Sequence, residues 1–527
     1  MNASTFATMR LIGILFVLTT VFTQAQVTLS SGQLDFGDVL TTSDKEMAVD
    51  VTNTTGATIS IDDVNIFGDD FTYSIANASI APGAKEKLRV TFKPRHNVVY
   101  NTELIFVLND GSEHRIDLVG NGRYEGTYYS STFNKSYQDL KDALKTKLAA
   151  GYVNLGYTGA RDKMYGDIDN VSGKVTCVYT GRTATFNTRS GANSNSFNCE
   201  HTWPQSMFNK IEPERADIHH LFSTDVNANS RRGSDPFGVV SGSGSWSEGG
   251  SKSGSGKFEP RDLQKGASAR AMLYFAIRYQ DYQNFIDGQE SILKQWHTTY
   301  SPSTTDIARN ERIFFYQKNR NPFVDHPEFI ERMDKIGSTD TKPIIKDAAK
   351  SQNAITYGAV SPSVQKDIYI INTGNVDWTG VSGATSAEGK LKIVSTDASA
   401  AVGEAIKVTV TFDALADGSY TDNLSLNLQT QADETVSIPV SFTIGKVGFN
   451  EIYTKRIKSF YNAGLQTLSV LNYPLNAEII EVWNSSGQLV LINSTFTDIP
   501  FNGHSQGVYF VVVKTEKEVF TSKFLVN

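Results

Sequence analysis

The chain has 527 residues, of which 39% are hydrophobic, 20% charged and 11% aromatic, a globular composition that excludes a fibre or a wholly disordered chain. That length corresponds to about three to four domains. A formal net charge of −7 argues against a uniformly basic coat for nucleic acid but leaves room for a local basic cleft, and two cysteines exclude a disulfide scaffold.

The first residues have the layout of an export signal. Arg10 leads, Leu11 to Phe22 is an apolar run, and Thr23-Gln24-Ala25 offers small residues for cleavage. The run is short for a transmembrane helix, and no later segment reaches the roughly 18 apolar residues a span needs. The expectation is a signal peptide at 1–25, export, and no stable membrane span. A disulfide can persist in that setting.

Residues 26–122 are strand-rich. Met47 to Val51 and Leu88 to Phe92 alternate apolar and polar, and Ala81-Pro82-Gly83 and Asn109-Asp110-Gly111 supply turns. Short strands at this spacing predict an immunoglobulin-like sandwich. The middle, 123–340, changes period. Tyr137, Leu140, Leu144 and Leu148 recur at helical spacing, and Leu263 to Tyr282 predicts a second helix. Ser241 to Lys257 is Gly/Ser-rich around Trp246 and reads as a mobile loop. This block is mildly positive, so the other segments carry the acidic excess and the middle is where an anion would be met. Residues 341–446 repeat the first pattern. Leu34-Asp35-Phe36-Gly37 returns as Ile355-Thr356-Tyr357-Gly358, Val51-Thr52-Asn53-Thr54 as Ile370-Ile371-Asn372-Thr373, and Leu88 to Phe92 as Val408 to Phe412. Two copies of one sandwich therefore flank the middle. Residues 447–527 return to strands and end on an alternating hairpin, Gly507 to Val513 against Thr521 to Asn527.

The chemistry concentrates in three stretches of the middle block: Asn198-Cys199-Glu200-His201-Thr202-Trp203-Pro204-Gln205-Ser206, Arg215-Ala216-Asp217-Ile218-His219-His220, and Asn227-Ala228-Asn229-Ser230-Arg231-Arg232. Neighbours on a strand point to opposite faces, so Glu200 and His201 should not chelate one ion together. The economical division is one metal ligand and one base. A hard cation prefers oxygen, so Glu200 with the Asn229 amide oxygen would hold it, leaving His201 to take a proton from water. The cation would neutralise charge on the phosphoryl and leaving oxygens. Arg232, one helical turn after Asn229, could contact phosphate. The bland readings have weight. Glu-His alone is uninformative, and Asn227-Ala228-Asn229 could be an ordinary turn. His219-His220 tempts a zinc reading but lacks a third ligand at zinc spacing. Tyr274, Phe275 and Tyr279 read as core rather than as a platform for bases.

These blocks resemble the secreted endonuclease I family of ββα-metal nucleases. The likeness runs from near Phe133 to near Met333. It includes Val178-Tyr179-Thr180-Gly181-Arg182, the Asn198 to Ser206 stretch, Ala216 to Phe222, Asn229 to Arg232, Asp235-Pro236-Phe237-Gly238, Phe258-Glu259-Pro260, Ala269-Arg270-Ala271-Met272 and Asn319 to Glu328. The resemblance implies metal-dependent, sequence-tolerant cleavage of DNA and RNA to 5′-phosphate ends, with Mg²⁺ as cofactor and Mn²⁺ or Ca²⁺ as alternatives. By position His201 matches the general base, Glu200 and Asn229 the metal ligands, and Arg270 a recurrent arginine of the helix block, which the resemblance offers as a catalytic residue or as a support of the cleft. Arg232 and Arg215 are the candidates for substrate contact. The family often has Ser-Asn after the position of Arg232, where this chain has Gly233-Ser234, which keeps Asn227 as a weaker ligand candidate. Cys177 and Cys199 could form a disulfide or stay free thiols. The flanks resemble ASPM/SPD-2/Hydin immunoglobulin-type repeats, and the tail resembles a type IX secretion sorting domain, implying passage through that machinery and a secreted or surface-attached protein. The expected fold is therefore multidomain: an α+β ββα-metal nuclease core flanked by all-β immunoglobulin-like sandwiches, with a C-terminal β-sandwich sorting domain. A contrasting reading is a catalytically inactive surface adhesion or glycan-binding protein.

Overall fold

The computed structural model describes residues 27–280, 282, 284–342 and, with short interruptions, 344–526. The export signal expected at 1–25 lies outside the described residues. By compactness the chain falls into two units, the smaller built mainly from the strands after Phe442.

The N-terminal segment folds as two sheets, one of four strands and one of five. The alternation in Lys85–Phe92 sends Leu88, Val90 and Phe92 into the core between them, with Lys87 and Arg89 outside. Phe71 stacks on Phe92 at 4.6 Å. The repeat at 341–446 also has two four-stranded sheets, and one equivalence goes beyond pattern. Asn53 is buried and donates from Nδ2 to Ala57 O and Ile80 O, both at 2.8 Å. Asn372 is buried and donates from Nδ2 to Val376 O at 2.9 Å and Ala400 O at 3.2 Å. Each asparagine satisfies one carbonyl of the turn that follows its strand and one of a segment 27 or 28 residues further on, which an apolar residue there would leave unpaired.

The smaller unit has a sheet of Lys458–Asn462, Thr467–Leu471 and Ile499–Pro500, and another of Ile479–Asn484, Leu489–Asn493, Gly507–Lys514 and Val519–Val526. The closing hairpin pairs Gly507 with Val526 and Lys514 with Val519. No helix among the described residues is long and apolar enough to cross a membrane.

The middle block packs around the helix Asp262–Tyr279. This helix is buried on nearly every side, and the polar residues it buries, Arg270 and Arg278 among them, are paired. Leu140, Leu144 and Leu148 form the inner stripe of Tyr137–Ala149 and join the same core. Trp203 stacks on Phe275 at 4.7 Å. Tyr274 and Phe275 are core, and the helix ends at Tyr279, short of the expected Tyr282. The Gly/Ser segment differs from the expected mobile loop. It forms three strands, Trp246–Glu248, Ser251–Gly254 and Lys257–Glu259. Gly249-Gly250 and Ser255-Gly256 make the two-residue turns, and all four residues have positive φ. Two-residue hairpin loops favour that backbone, so the glycines here mark turns rather than slack.

Asp217 is the polar centre of this core. It accepts from Arg278 Nη1 at 2.6 Å, Tyr274 OH at 2.8 Å, Tyr279 OH at 2.9 Å and Gln317 Nε2 at 3.0 Å. Burial alone would raise its pKa; Arg278 and the neighbouring polar groups outweigh it and hold the carboxylate at about 2. Burial drives His219 and His220 the other way, down to about 4. Asp217→Asn should therefore cost about 3–5 kcal/mol, because it leaves Arg278 buried without its counter-charge. All three groups bind protons more weakly folded than unfolded. Their contribution is complete near neutrality and is lost as pH falls, first between ~6.5 and about 4 for the histidines, then towards about 2 for Asp217. The two histidines alone give a slope of up to ~2.7 kcal/mol per pH unit in that window. Denaturant titrations at stepwise lower pH measure it, and flat stability there would contradict the buried neutral histidines.

Candidate active site

Two strands and a helix build the site. Phe197–His201 runs antiparallel to Leu221–Asp225, with Glu200 opposite Phe222 and His201 opposite Leu221. The helix Val226–Arg232 follows at once. Asp225 sets its start by accepting from Asn227 N at 2.7 Å and Ala228 N at 3.3 Å, the bonds an N-cap makes. Arg182 Nε in turn fixes Asp225 at 2.8 Å.

Glu200 is only 1% exposed. Tyr179 OH donates to its Oε1 at 2.7 Å, and Arg232 Nε lies 3.4 Å from the same oxygen. Both contacts converge on Oε1; neither engages Oε2. Burial raises the carboxyl pKa, and Arg232 is the foremost group opposing that rise. Asn229 donates from Nδ2 to Asn198 Oδ1 at 2.8 Å and to Cys199 O at 3.3 Å. Those bonds tie the helix to the strand and use only the amide nitrogen. Asn227 is exposed in the first turn, two residues away and off that face, so Asn229 is the asparagine directed at the Glu200 strand.

His201 is 5% exposed. Its Nε2 lies 3.2 Å from Arg215 O. A carbonyl only accepts, so Nε2 carries the proton and Nδ1 the lone pair. Burial, followed by the neighbouring His220, holds the imidazole pKa well below its ordinary value, so the ring is neutral. Strand alternation places Glu200 with Tyr179, Asn229 and Arg232, and His201 with Tyr157 and Arg215.

Several expectations change. Arg232 does not face solvent as a phosphate contact. It is 1% exposed, and its guanidinium donates to His201 O, Thr202 O and Gly233 O beside Glu200. Arg270 is 2% exposed, donating to Tyr300 O at 2.7 Å and Asp306 Oδ2 at 3.0 Å. It braces its helix against the 300–306 segment, and among the described residues no contact joins it to Glu200 or His201. Cys177 and Cys199 are free thiols. Cys199 pairs with Ser223, whereas Cys177 contacts the Thr224 hydroxyl at 3.5 Å, on the other face of the ladder, so the two sulfurs are held apart. His219 and His220 lie in the short turn Ile218–His220. Their Nε2 atoms serve different carbonyls, Asn319 O at 3.1 Å and Glu214 O at 2.7 Å.

Arg215 is half-buried, donates to Gln205 Oε1 at 3.1 Å, and rests 4.3 Å from the Tyr157 ring centre. Sequence reasoning missed Tyr157, Arg161 and Tyr179. Tyr157 lies 5.3 Å from the His201 ring, and Arg161 packs on it at 4.0 Å. These two are four apart on the helix Gly156–Lys163, a spacing that carries no chemical signal of its own. Tyr179 sits in the recognised Val178 to Arg182 block, but nothing in that block states its partner.

Three segments of the chain are similar to known proteins. The Endonuclease I family profile matches residues 132–328. A HYDIN/CFA65/VesB-like Ig-like domain matches 25–121, and a secretion system C-terminal sorting domain matches 462–527. The extracellular ribonuclease of Bacillus subtilis is 31% identical over 233 residues, 39% of this chain and 78% of that protein. The extracellular ribonuclease of Bacillus amyloliquefaciens is 30% identical over 232 residues, again 39% and 78%. Tyr179→Phe removes one hydroxyl and leaves the buried ring. It should keep the fold and, with Glu200 as the expected ligand, weaken divalent-ion affinity by about 10–100-fold, the range for an outer partner of a ligating carboxylate. Isothermal titration with Mn²⁺ measures that shift.

Proposed function

The chain belongs to the Endonuclease I family, and on that premise we propose that it hydrolyses phosphodiester bonds of DNA and RNA without sequence preference, leaving 5′-phosphate ends. It is a secreted or surface-attached nuclease carrying an immunoglobulin-like domain and a sorting domain of type IX secretion. The observation that carries the mechanistic reading is the strand end at Glu200-His201. There a buried carboxylate faces an amide-bearing helix, and a neutral imidazole follows in the next position. In this reading strands Phe197–His201 and Leu221–Asp225 with helix Val226–Arg232 are the ββα unit.

The donor set suits the hard cation that the family requires. Glu200 and Asn229 offer one anionic and one neutral oxygen, an arrangement for Mg²⁺, Mn²⁺ or Ca²⁺ with water filling the remaining positions. When bound, such an ion neutralises charge on the phosphoryl and leaving oxygens. The chain's residues do the rest. Arg232 favours the ionised form of Glu200 despite burial, and Tyr179 fixes the rotation of its carboxyl. The Arg215 carbonyl holds the Nε2–H of His201, so that Nδ1 accepts the proton of the attacking water. The Arg215 side chain, half-buried against the Tyr157 ring and bonded to the neutral Gln205 amide, meets the phosphate.

A plasmid-nicking assay on the mature protein tests this reading. Mg²⁺ should support nicking, EDTA should stop it, and Glu200→Ala should remove it. No cleavage with any divalent ion by a folded protein would favour the adhesion reading. His201→Ala should lower kcat by about 10²–10⁴ in a protein that circular dichroism shows to be folded. Full activity in that variant would remove His201 from the base role.

A further inference from the structure

Arg161 and Arg215 approach the same tyrosine from different elements. Arg161 belongs to the helix Gly156–Lys163, and Arg215 to the turn Glu214–Ala216. Their guanidinium carbons lie 4.0 Å and 4.3 Å from the Tyr157 ring centre. Arg161 donates from Nε to Tyr157 O at 3.4 Å, and Arg215 from Nε to Gln205 Oε1 at 3.1 Å. Both side chains are half-buried, and among the described residues neither has a carboxylate within ion-pair distance. The acid at this edge, Glu212, instead accepts from Tyr157 N at 3.1 Å. Other arginines nearby are paired: Arg182 with Asp225, Arg189 with Asp162, Arg309 with Asp169. Two guanidiniums held together without counter-charge repel each other, and they are most stable with an anion between or beside them. The tyrosine face offsets part of that repulsion and keeps both forks beside His201.

We propose that Arg161 is a second phosphate-binding residue, and that Tyr157 sets its spacing from Arg215. The pair then grips two successive phosphates of one strand, the scissile group at Arg215 and its neighbour at Arg161. The substrate class this selects is a polynucleotide with a phosphate flanking the cleaved bond, rather than an isolated phosphodiester. The inference rests on the nuclease reading above.

The test uses the full mature protein with Mg²⁺, comparing wild type with Arg161→Ala and Arg161→Lys. Two substrates are used: a single-stranded oligonucleotide and bis(p-nitrophenyl) phosphate, which has no flanking phosphate. For Arg161→Ala the ratio of kcat/KM on the oligonucleotide to that on the small diester should fall roughly tenfold, mainly through KM. The dependence of log KM on log salt should lose about one unit of slope. Arg161→Lys keeps the charge and should restore the slope with only part of the affinity. An unchanged ratio and slope in an active protein would overturn the clamp and leave the Glu200-His201 reading intact. An equal loss on both substrates would also overturn it, assigning Arg161 to support of the strand. A wild-type protein inert on both substrates would overturn the clamp together with the reading beneath it.

Discussion

The buried cation Arg232 is the constraint on which the site depends. A guanidinium withdrawn from water loses several kcal/mol of solvation, which must be offset by hydrogen bonds and counter-charge. Here the carbonyls of His201, Thr202 and Gly233 accept from its two terminal nitrogens, and the Glu200 carboxylate lies at ion-pair distance from Nε, which makes no hydrogen bond among the described residues. Three consequences follow. The strand cannot slip against the helix without stranding a charge. The backbone at His201 is fixed by the same group that faces Glu200. And Arg232 is the foremost group opposing the rise that burial imposes on the Glu200 carboxyl pKa. One arginine thus couples the register of the fold to the chemistry of its acidic ligand, which is why it reads better as an internal strut than as a hand extended to substrate.

The same logic recurs deeper in the core with Asp217 and Arg278. There the charge is negative and its satisfiers are two tyrosine hydroxyls, a glutamine and an arginine. This hub sits one residue from Ile218–His220, so it fixes the turn that delivers the strand Leu221–Asp225. Burial at one end of this segment makes His219 and His220 neutral, and burial at the facing strand makes His201 neutral. A low dielectric therefore gives two structural imidazoles and one candidate base the same protonation state. What separates them is the ring atom left over, since His219 and His220 are enclosed by core aromatics while His201 lies at the Tyr157 edge.

Periodicity made the sandwiches, the inner stripe of Tyr137–Ala149 and the final hairpin legible, because alternation and helical spacing are properties of adjacent residues. The grouping of Glu200, His201 and Asn229 was legible for a related reason: they lie in short blocks whose strand and helix the fold brings together. Arg232 and Arg270 misled because charge is visible in a sequence and burial is not. A cation in a motif looks the same whether it meets phosphate or a ring of carbonyls. Cys177 and Cys199 raised a bridge on proximity to the site, yet the faces of a strand ladder decide such pairs, and those depend on register. The Gly/Ser run was misread because composition registers flexibility of the unfolded chain, whereas Gly249-Gly250 and Ser255-Gly256 spend it on fixed turns. Tyr157 and Arg161 were silent, being brought to His201 only by tertiary packing.

The arrangement at the mouth of the site bears on how such an enzyme can ignore sequence. Base readout requires donors and acceptors aimed at base edges, or a free aromatic face for stacking. Phosphate contacts position a strand but carry no sequence information. Beside His201 the side chains on offer are guanidiniums, and the aromatic ring among them is engaged by both. Tyr157 thus acts as a spacer between cations rather than as a shelf for a base. In the proposed reading such a cleft would track the repeat of the phosphate backbone rather than base edges. Sequence tolerance would then follow from which groups lack a counter-charge there, and a few basic residues would suffice for it despite a net charge of −7.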